Sequence, residues 1–269
     1  MRKSVLSGCI FNRIIRNCLK KEFITLFITL LWYNRVCEKM FREYQGAIEN
    51  MKEIYIYKNH DGAAPAVYLN VSTGNGSDVW EECRKLRVPP VTLVVISGLA
   101  WDEELSPWAA PPVFKSDAFR GGADAYIREL VSEIVPYAEK ESGSRPLWAA
   151  LAGYSLAGLF AVYASCRTNL FKGFVSASGS FWYPNFAEYM EQHVPGEHLS
   201  YGYFSLGSKE HKVRNPIMAT VLDRTVRVRE ILEKQGIRTV FETNPGNHFT
   251  EPALRVAKGI AWLLKTADG

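Results

Sequence analysis

From residue 52 to the end of the chain, the apolar positions switch repeatedly between a period of two and a period of three to four, as strands alternating with helices do. Lys52 to Tyr57 alternates around Ile54 and Ile56, a turn follows at Asn59-His60-Asp61-Gly62, and Ala66 to Val71 alternates again. The pair predicts an antiparallel opening hairpin. Val91 to Ser97 is a continuous apolar run, the pattern of a strand covered on both faces. After a long loop holding Pro107, Pro111 and Pro112, the positions Ile127, Leu130, Val131, Ile134 and Ala138 keep helical spacing, and Pro136 is expected to kink this helix or end it early. Strands are predicted at Gly173 to Ala177, Tyr201 to Leu206 and Thr239 to Thr243. Helices are predicted at Asn185 to Val194, along Ile217, Val221, Thr225, Val228 and Leu232, and along Leu254, Ala257, Ala261 and Leu264. The alternation predicts an α/β fold: a mostly parallel central sheet with an antiparallel N-terminal hairpin and helices on both faces.

Residues 1–50 read differently. Arg2, Lys3, Arg13, Arg16, Lys20 and Lys21 precede an apolar run from Phe23 to Tyr33, which falls short of the roughly twenty residues that span a bilayer. No small-residue cleavage site follows it. A dispensable extension, a membrane-surface helix and a signal or anchor are the three readings, the first preferred, with Met40 and Met51 as internal start candidates. The expected organisation is an N-terminal extension over 1–50 and a single domain over 51–269.

The charge balance changes the picture little. The net charge of +4 comes from the first fifty residues, which hold nine Lys and Arg against four Asp and Glu. The remainder is close to neutral, so no nucleic-acid partner is expected. Five cysteines without paired short spacing predict neither a disulfide framework nor a zinc site, and a reducing, cytoplasmic location. His193 and His198 flank a Pro-Gly turn, but no Cys or carboxylate pattern completes a metal site. No metal and no cofactor are expected.

The candidate chemistry lies in Ala149 to Gly158, where a short apolar strand breaks into small residues and becomes an apolar helix. A serine at such a turn, Ser155, is held in a strained backbone conformation with small residues packed around it. The start of the helix then faces whatever bonds to the hydroxyl. Ala157 stands where the common pattern has glycine. A serine hydroxyl needs a base and an orienting acid, and in parallel sheets these follow the carboxyl ends of later strands. His248, after the turn Asn244-Pro245-Gly246-Asn247, fits the base. Glu210, just past Phe204 to Gly207, fits the acid, although a solvated turn charge beside Lys209 and Lys212 is its plainer reading. Asp223 faces outward on its helix, Glu242 points away along its strand, and His211 reads as a rim residue. Backbone amides of Leu156 and of Leu99, after the Val91 to Ser97 strand, are the expected oxyanion donors. Trp101, Trp108, Phe181, Trp182 and Tyr183 fall in loops at that rim. Trp101, Trp182 and Tyr183 are expected to line a substrate pocket, with Arg214 as a polar contact.

At Ile96 to Leu99, Gly153 to Gly158, Ser178 to Trp182, Leu206 to Glu210 and Gly246 to Phe249, the chain resembles the esterase branch of the α/β-hydrolases. This branch includes esterase D and the enterochelin-type siderophore esterases, and the resemblance covers roughly residues 52 to 266. It implies an α/β-hydrolase fold and a serine esterase working through an acyl-enzyme on a small-molecule ester. The elbow is also similar to that of the mycolyltransferases, whose triad acid is a glutamate, which favours Glu210. That likeness makes acyl transfer to another alcohol the alternative, and an idle hydrolase-like binding protein is the third reading.

Overall fold

The computed structural model describes residues 52–113 and 118–267, so the expectations for residues 1–50 lie outside the described residues. A seven-stranded sheet runs in the order β1-β3-β2-β6-β7-β8-β9. Its strands are β1 (Glu53–Lys58), β2 (Ala66–Asn70), β3 (Thr92–Ser97), β6 (Ala149–Tyr154), β7 (Phe171–Ala177), β8 (Tyr201–Gly207) and β9 (Arg238–Asn244). A short ribbon, β4 (Ala109–Ala110) with β5 (Phe119–Arg120), stands apart. Every neighbouring pair in the large sheet is parallel except β1 with β3.

That arrangement corrects the opening hairpin. β1 and β2 do not pair: β1 is antiparallel to β3, with Glu53 opposite Ser97, and β2 lies between β3 and β6. Burial explains why. All five residues of β2 are buried, as a central strand requires, whereas β1 begins and ends exposed, as an edge strand does.

Alternation along the strands sorts side chains into two cores. Tyr68, Val94, Leu151, Phe174 and Phe204 face one side. They pack there against α3 (Ala123–Glu129), α4 (Val135–Ser142), α5 (Leu156–Ser165), α6 (Phe186–Gln192) and α7 (Val221–Lys234). Val67, Leu93, Val95, Val175 and Tyr203 face the other, under α1 (Ser77–Lys85) and α8 (Pro252–Ala267). The remaining helix, α2 (Trp101–Glu104), is a single turn after β3. The strands therefore read as continuous apolar runs because both faces are covered.

Pro136 does not end its helix. The chain widens into one π turn, Leu130–Ile134, directly before α4, and continues to Gly143, which closes it in the left-handed region at φ 77°. The wide turn accommodates the missing N–H and the ring of the proline without breaking the helix. On α8 three of the four expected inward residues, Ala257, Ala261 and Leu264, are buried, and the covered face is wider than expected. Val256, Ala257, Ile260, Ala261, Leu263 and Leu264 are buried, Leu254 is half-buried, and Arg255 is 1% exposed. Burial pushes the thiols of Cys83 and Cys166 up to about 12, which leaves both as inert apolar fillers. Among the described residues no helix is long and apolar enough to cross a membrane.

α8 lies close enough to the sheet that a Cβ at Gly259 would meet Val175 Cγ1 at 2.3 Å and Tyr203 Cδ1 at 2.6 Å. Gly259→Ala therefore lowers the urea midpoint, since crowding of about 1–3 kcal/mol outweighs the ~1 kcal/mol that alanine gains in a helix. A raised midpoint would contradict this packing.

Candidate active site

The site begins at the end of β6. Ser155 takes φ 58° and ψ −122°, a conformation costly for any residue with a Cβ, between β6 and α5. Sequence makes the turn possible at two points. A Cβ on Gly153 would fall 2.3 Å from the Ala157 backbone carbonyl, and one on Gly158 would fall 3.1 Å from Gly179 Cα. Ala157 is tolerated because the close approach to the next strand falls on Gly158 instead. Ser155 N donates to Ala177 O, and Ser155 O accepts from the amides of Gly158, Leu159 and Ser180, so the strained residue is held on both sides.

Two later loops bring their side chains to this hydroxyl. His248 Nε2 lies 3.1 Å from Ser155 Oγ, and His248 Nδ1 lies 2.8 Å from Glu210 Oε2. A carboxylate only accepts, so Nδ1 carries the proton and Nε2 presents its lone pair to the serine. The turn after β8 is tied to the loop after β9 by Ser208 N to Asn244 O at 2.8 Å and Lys209 N to Gly246 O at 2.9 Å, which brings Glu210 under His248. The Tyr154 hydroxyl donates to the His248 carbonyl at 2.5 Å.

Glu210 is 5% exposed, so the reading as a solvated turn charge fails. Its Oε1 accepts from Ser178 Oγ at 2.7 Å, the Gly207 amide at 2.6 Å and Arg255 Nη1 at 2.8 Å. Burial works to raise its pKa, but hydrogen bonds from His248, the Gly207 amide and Ser178 outweigh it and hold the carboxyl below the usual glutamate range.

Two cavities meet at His248 and Phe249. The larger, about 440 Å³, is lined by Ser155, Tyr154, Trp101, Asp78 and the segment Leu69 to Thr73. The smaller, about 200 Å³, is mostly apolar and lies against Trp182, Val213, Met218 and Val221, beside Glu210. Trp101 and Trp182 thus border the site. Tyr183 and Arg214 line neither cavity. Tyr183 is 2% exposed, packs against Phe119 and Trp108 and donates to the Trp108 carbonyl, so it anchors a loop. Arg214 is exposed on the turn.

Leu156 begins α5 next to Ser155, where a helix's first amides have no intrahelical acceptor. Leu99 is displaced from expectation. Its loop follows β3, and β2 intervenes between β3 and β6, so Asn70 at the end of β2 and Val71 to Thr73 after it share the larger cavity with Ser155. Among the described residues no group of three or more His, Cys, Asp or Glu is placed to hold a metal ion. His193 and His198 bond to the carbonyls of Tyr189 and Asn169.

Arg255 escaped sequence reasoning. The signal was present in the row Arg255, Gly259, Leu263, at i, i+4 and i+8, which is buried along its whole length. Tyr154 and Ser178 lie in the stretches Gly153 to Gly158 and Ser178 to Trp182 that carry the resemblance, but nothing in those stretches gave either a role.

The strand order and the elbow are those of an α/β-hydrolase fold. A family model described as "Putative esterase" matches residues 55–249, and the chain belongs to that family. The uncharacterized protein YbbA of Bacillus subtilis (strain 168) is 27% identical over 196 residues, 67% of this chain and 75% of its own. Of the solved structures, siderophore hydrolase EstA from Aspergillus nidulans is similar with a TM-score of 0.59 at 18% identity, covering 80% of this chain and 90% of its own. The enterobactin esterase FES from Shigella flexneri is similar with a TM-score of 0.58 at 17% identity, covering 80% of this chain but 56% of its own.

The lowered pKa of Glu210 has a thermodynamic sign. The unfolded glutamate takes a proton near pH 4.3 and the folded one only below that. Its contribution to stability is therefore full above the unfolded value and lost as pH falls through the folded one. Urea unfolding of the wild type and Glu210→Gln from pH 7 down to pH 3 is expected to show a stability gap that narrows with acid. A gap that widens would contradict the assignment.

Proposed function

We propose that the protein is a serine hydrolase that cleaves carboxylic esters through an acyl-enzyme. The observation that carries the reading is the continuous hydrogen-bonded line Ser155 Oγ, His248 Nε2, His248 Nδ1, Glu210 Oε2, with separations of 3.1 and 2.8 Å. Membership of the esterase family supports the bond type.

In the proposed reaction Ser155 Oγ attacks the ester carbonyl while its proton passes to His248 Nε2, and Glu210 stabilises the imidazolium that forms. The carbonyl oxygen becomes an oxyanion, held by the Leu156 amide and, in place of Leu99, by an amide of the segment 71–73 after β2. The Val71 amide is already committed to Ile96 O, which leaves the amides of Ser72 and Thr73 as the donors. Collapse expels the alcohol, which takes the proton from Nε2. Water then attacks the acyl carbonyl and gives a proton to His248, and collapse releases the acid while His248 returns that proton to Ser155 Oγ.

The two cavities divide the substrate at the histidine. The larger takes the bulkier, more polar portion, and the apolar one, with Trp182 and Met218, takes a hydrocarbon or ring group.

A fluorophosphonate probe is expected to label the wild type at Ser155 and to leave Ser155→Ala unlabelled. Ser155→Ala and His248→Ala are expected to lower kcat on an activated ester by about 10⁶-fold, and Glu210→Gln by about 10⁴-fold. Undiminished turnover in Ser155→Ala would overturn the reading. Product analysis with added alcohols separates hydrolysis, which gives free acid, from transfer, which gives new esters.

Met218→Trp fills the smaller cavity. It is expected to lower kcat/KM about tenfold for esters with a bulky apolar group, with acetate esters changed less than about twofold. Equal loss on both would show that the cavity does not bind substrate.

A further inference from the structure

Arg255 occupies a place that local physics disfavours. It is the fourth residue of α8, near the positive end of the helix dipole, and it is 1% exposed. A guanidinium withdrawn from water is tolerated only with dense pairing, and here the pairing is confined to the active site. Nη1 donates to Glu210 Oε1 at 2.8 Å, Ser178 Oγ at 3.0 Å and the Tyr154 hydroxyl at 3.2 Å. Nη2 donates to the carbonyls of Pro245 at 3.0 Å and Asn247 at 2.9 Å. One side chain thus joins the acid, the end of the strand that leads into Ser155, and the loop that carries His248.

Two consequences follow for the relay. Geometrically, Oε1 of Glu210 is saturated by Ser178, Gly207 and Arg255, so the carboxylate cannot rotate and Oε2 stays on His248. Electrostatically, an imidazolium at His248 would be useless as a base. The positive charge of Arg255 on the far oxygen of Glu210 opposes a second positive charge on the imidazole. The other titratable groups facing His248 do not supply it: Tyr154, whose ring lies 5.3 Å away, is protonated because burial raises its pKa, and Asp78, across the larger cavity, is an acid.

We infer that Arg255 is a positioning residue of the hydrolase, locking Glu210 and the histidine loop and keeping the His248 imidazole free to accept the serine proton. The inference rests on the serine hydrolase reading above. It assigns no contact between Arg255 and substrate.

The test is the pH dependence of kcat/KM on an activated ester for the full chain, for Arg255→Met, for Arg255→Lys and for Ser155→Ala. Loss of the cation favours imidazolium, so in Arg255→Met the acidic limb is expected to move to higher pH by about one unit. Its plateau kcat is expected to fall about 10- to 100-fold, with KM changed less than about threefold. Arg255→Lys keeps the charge but cannot reach five acceptors, so its limb stays near the wild-type position while its kcat remains low. If Arg255→Met does not fold, Arg255→Lys decides the matter: an unchanged kcat or a displaced limb in that variant overturns the inference. An Arg255→Met enzyme that loses rate with no displacement of the limb overturns it also, leaving a strut without influence on the base. Turnover surviving in Ser155→Ala would remove the hydrolase reading and this inference with it. A Ser155-dependent activity whose limb ignores Arg255 removes the inference alone.

Discussion

A carboxylate withdrawn from water must fill its lone pairs with donors, and Glu210 fills them with four: Ser178, the Gly207 amide, His248 and Arg255. These donors come from the segment after β7, the last residue of β8, the loop after β9 and the first turn of α8. Satisfying one charge therefore requires three adjacent parallel strands to end at the same rim and a helix to return across them. The sheet order supplies this, since β7, β8 and β9 are neighbours in space as in sequence. If any of these segments moved, a buried charge would lose a partner, at a cost of about 1–3 kcal/mol or more. The acid thus organises the loops around it as much as the loops organise the acid.

The serine is held by a different constraint. Its positive φ costs about 1–3 kcal/mol, and Gly153 and Gly158 keep it in place by letting α5 close onto β6 and onto the segment after β7. The strain aims Oγ at the rim where the carboxylate has already gathered the histidine loop. Two requirements, a tight strand-to-helix turn and a satisfied buried acid, converge on one hydroxyl.

How much of this was legible in the chain depended on whether the signal was local. The elbow at Gly153 to Gly158, the strands feeding Glu210 and His248, and the α/β alternation are written in contiguous residues, and each was readable. Strand order is not local. β1 and β2 look like a hairpin because they are adjacent in sequence, yet full burial of β2 on both faces places it centrally. Without that order, adjacency could not show that the segment after β2 lines the cavity with Ser155. Tyr183 illustrates a second limit, since a rim aromatic and a loop anchor have the same composition, and only packing tells them apart. Arg255 shows a third. A charged residue on a helix is read as solvated unless its row is followed to Gly259 and Leu263, and its partners Glu210, Ser178 and Tyr154 lie 45, 77 and 101 residues away.

The central claim is that Ser155 carries the acyl group during turnover. Mass spectrometry of enzyme quenched in acid within milliseconds of mixing with an activated ester tests it most directly. The account predicts a transient adduct of one acyl mass on the peptide containing Ser155, decaying as free acid appears. Turnover with that peptide unmodified, or with the acyl group on another residue, would contradict it.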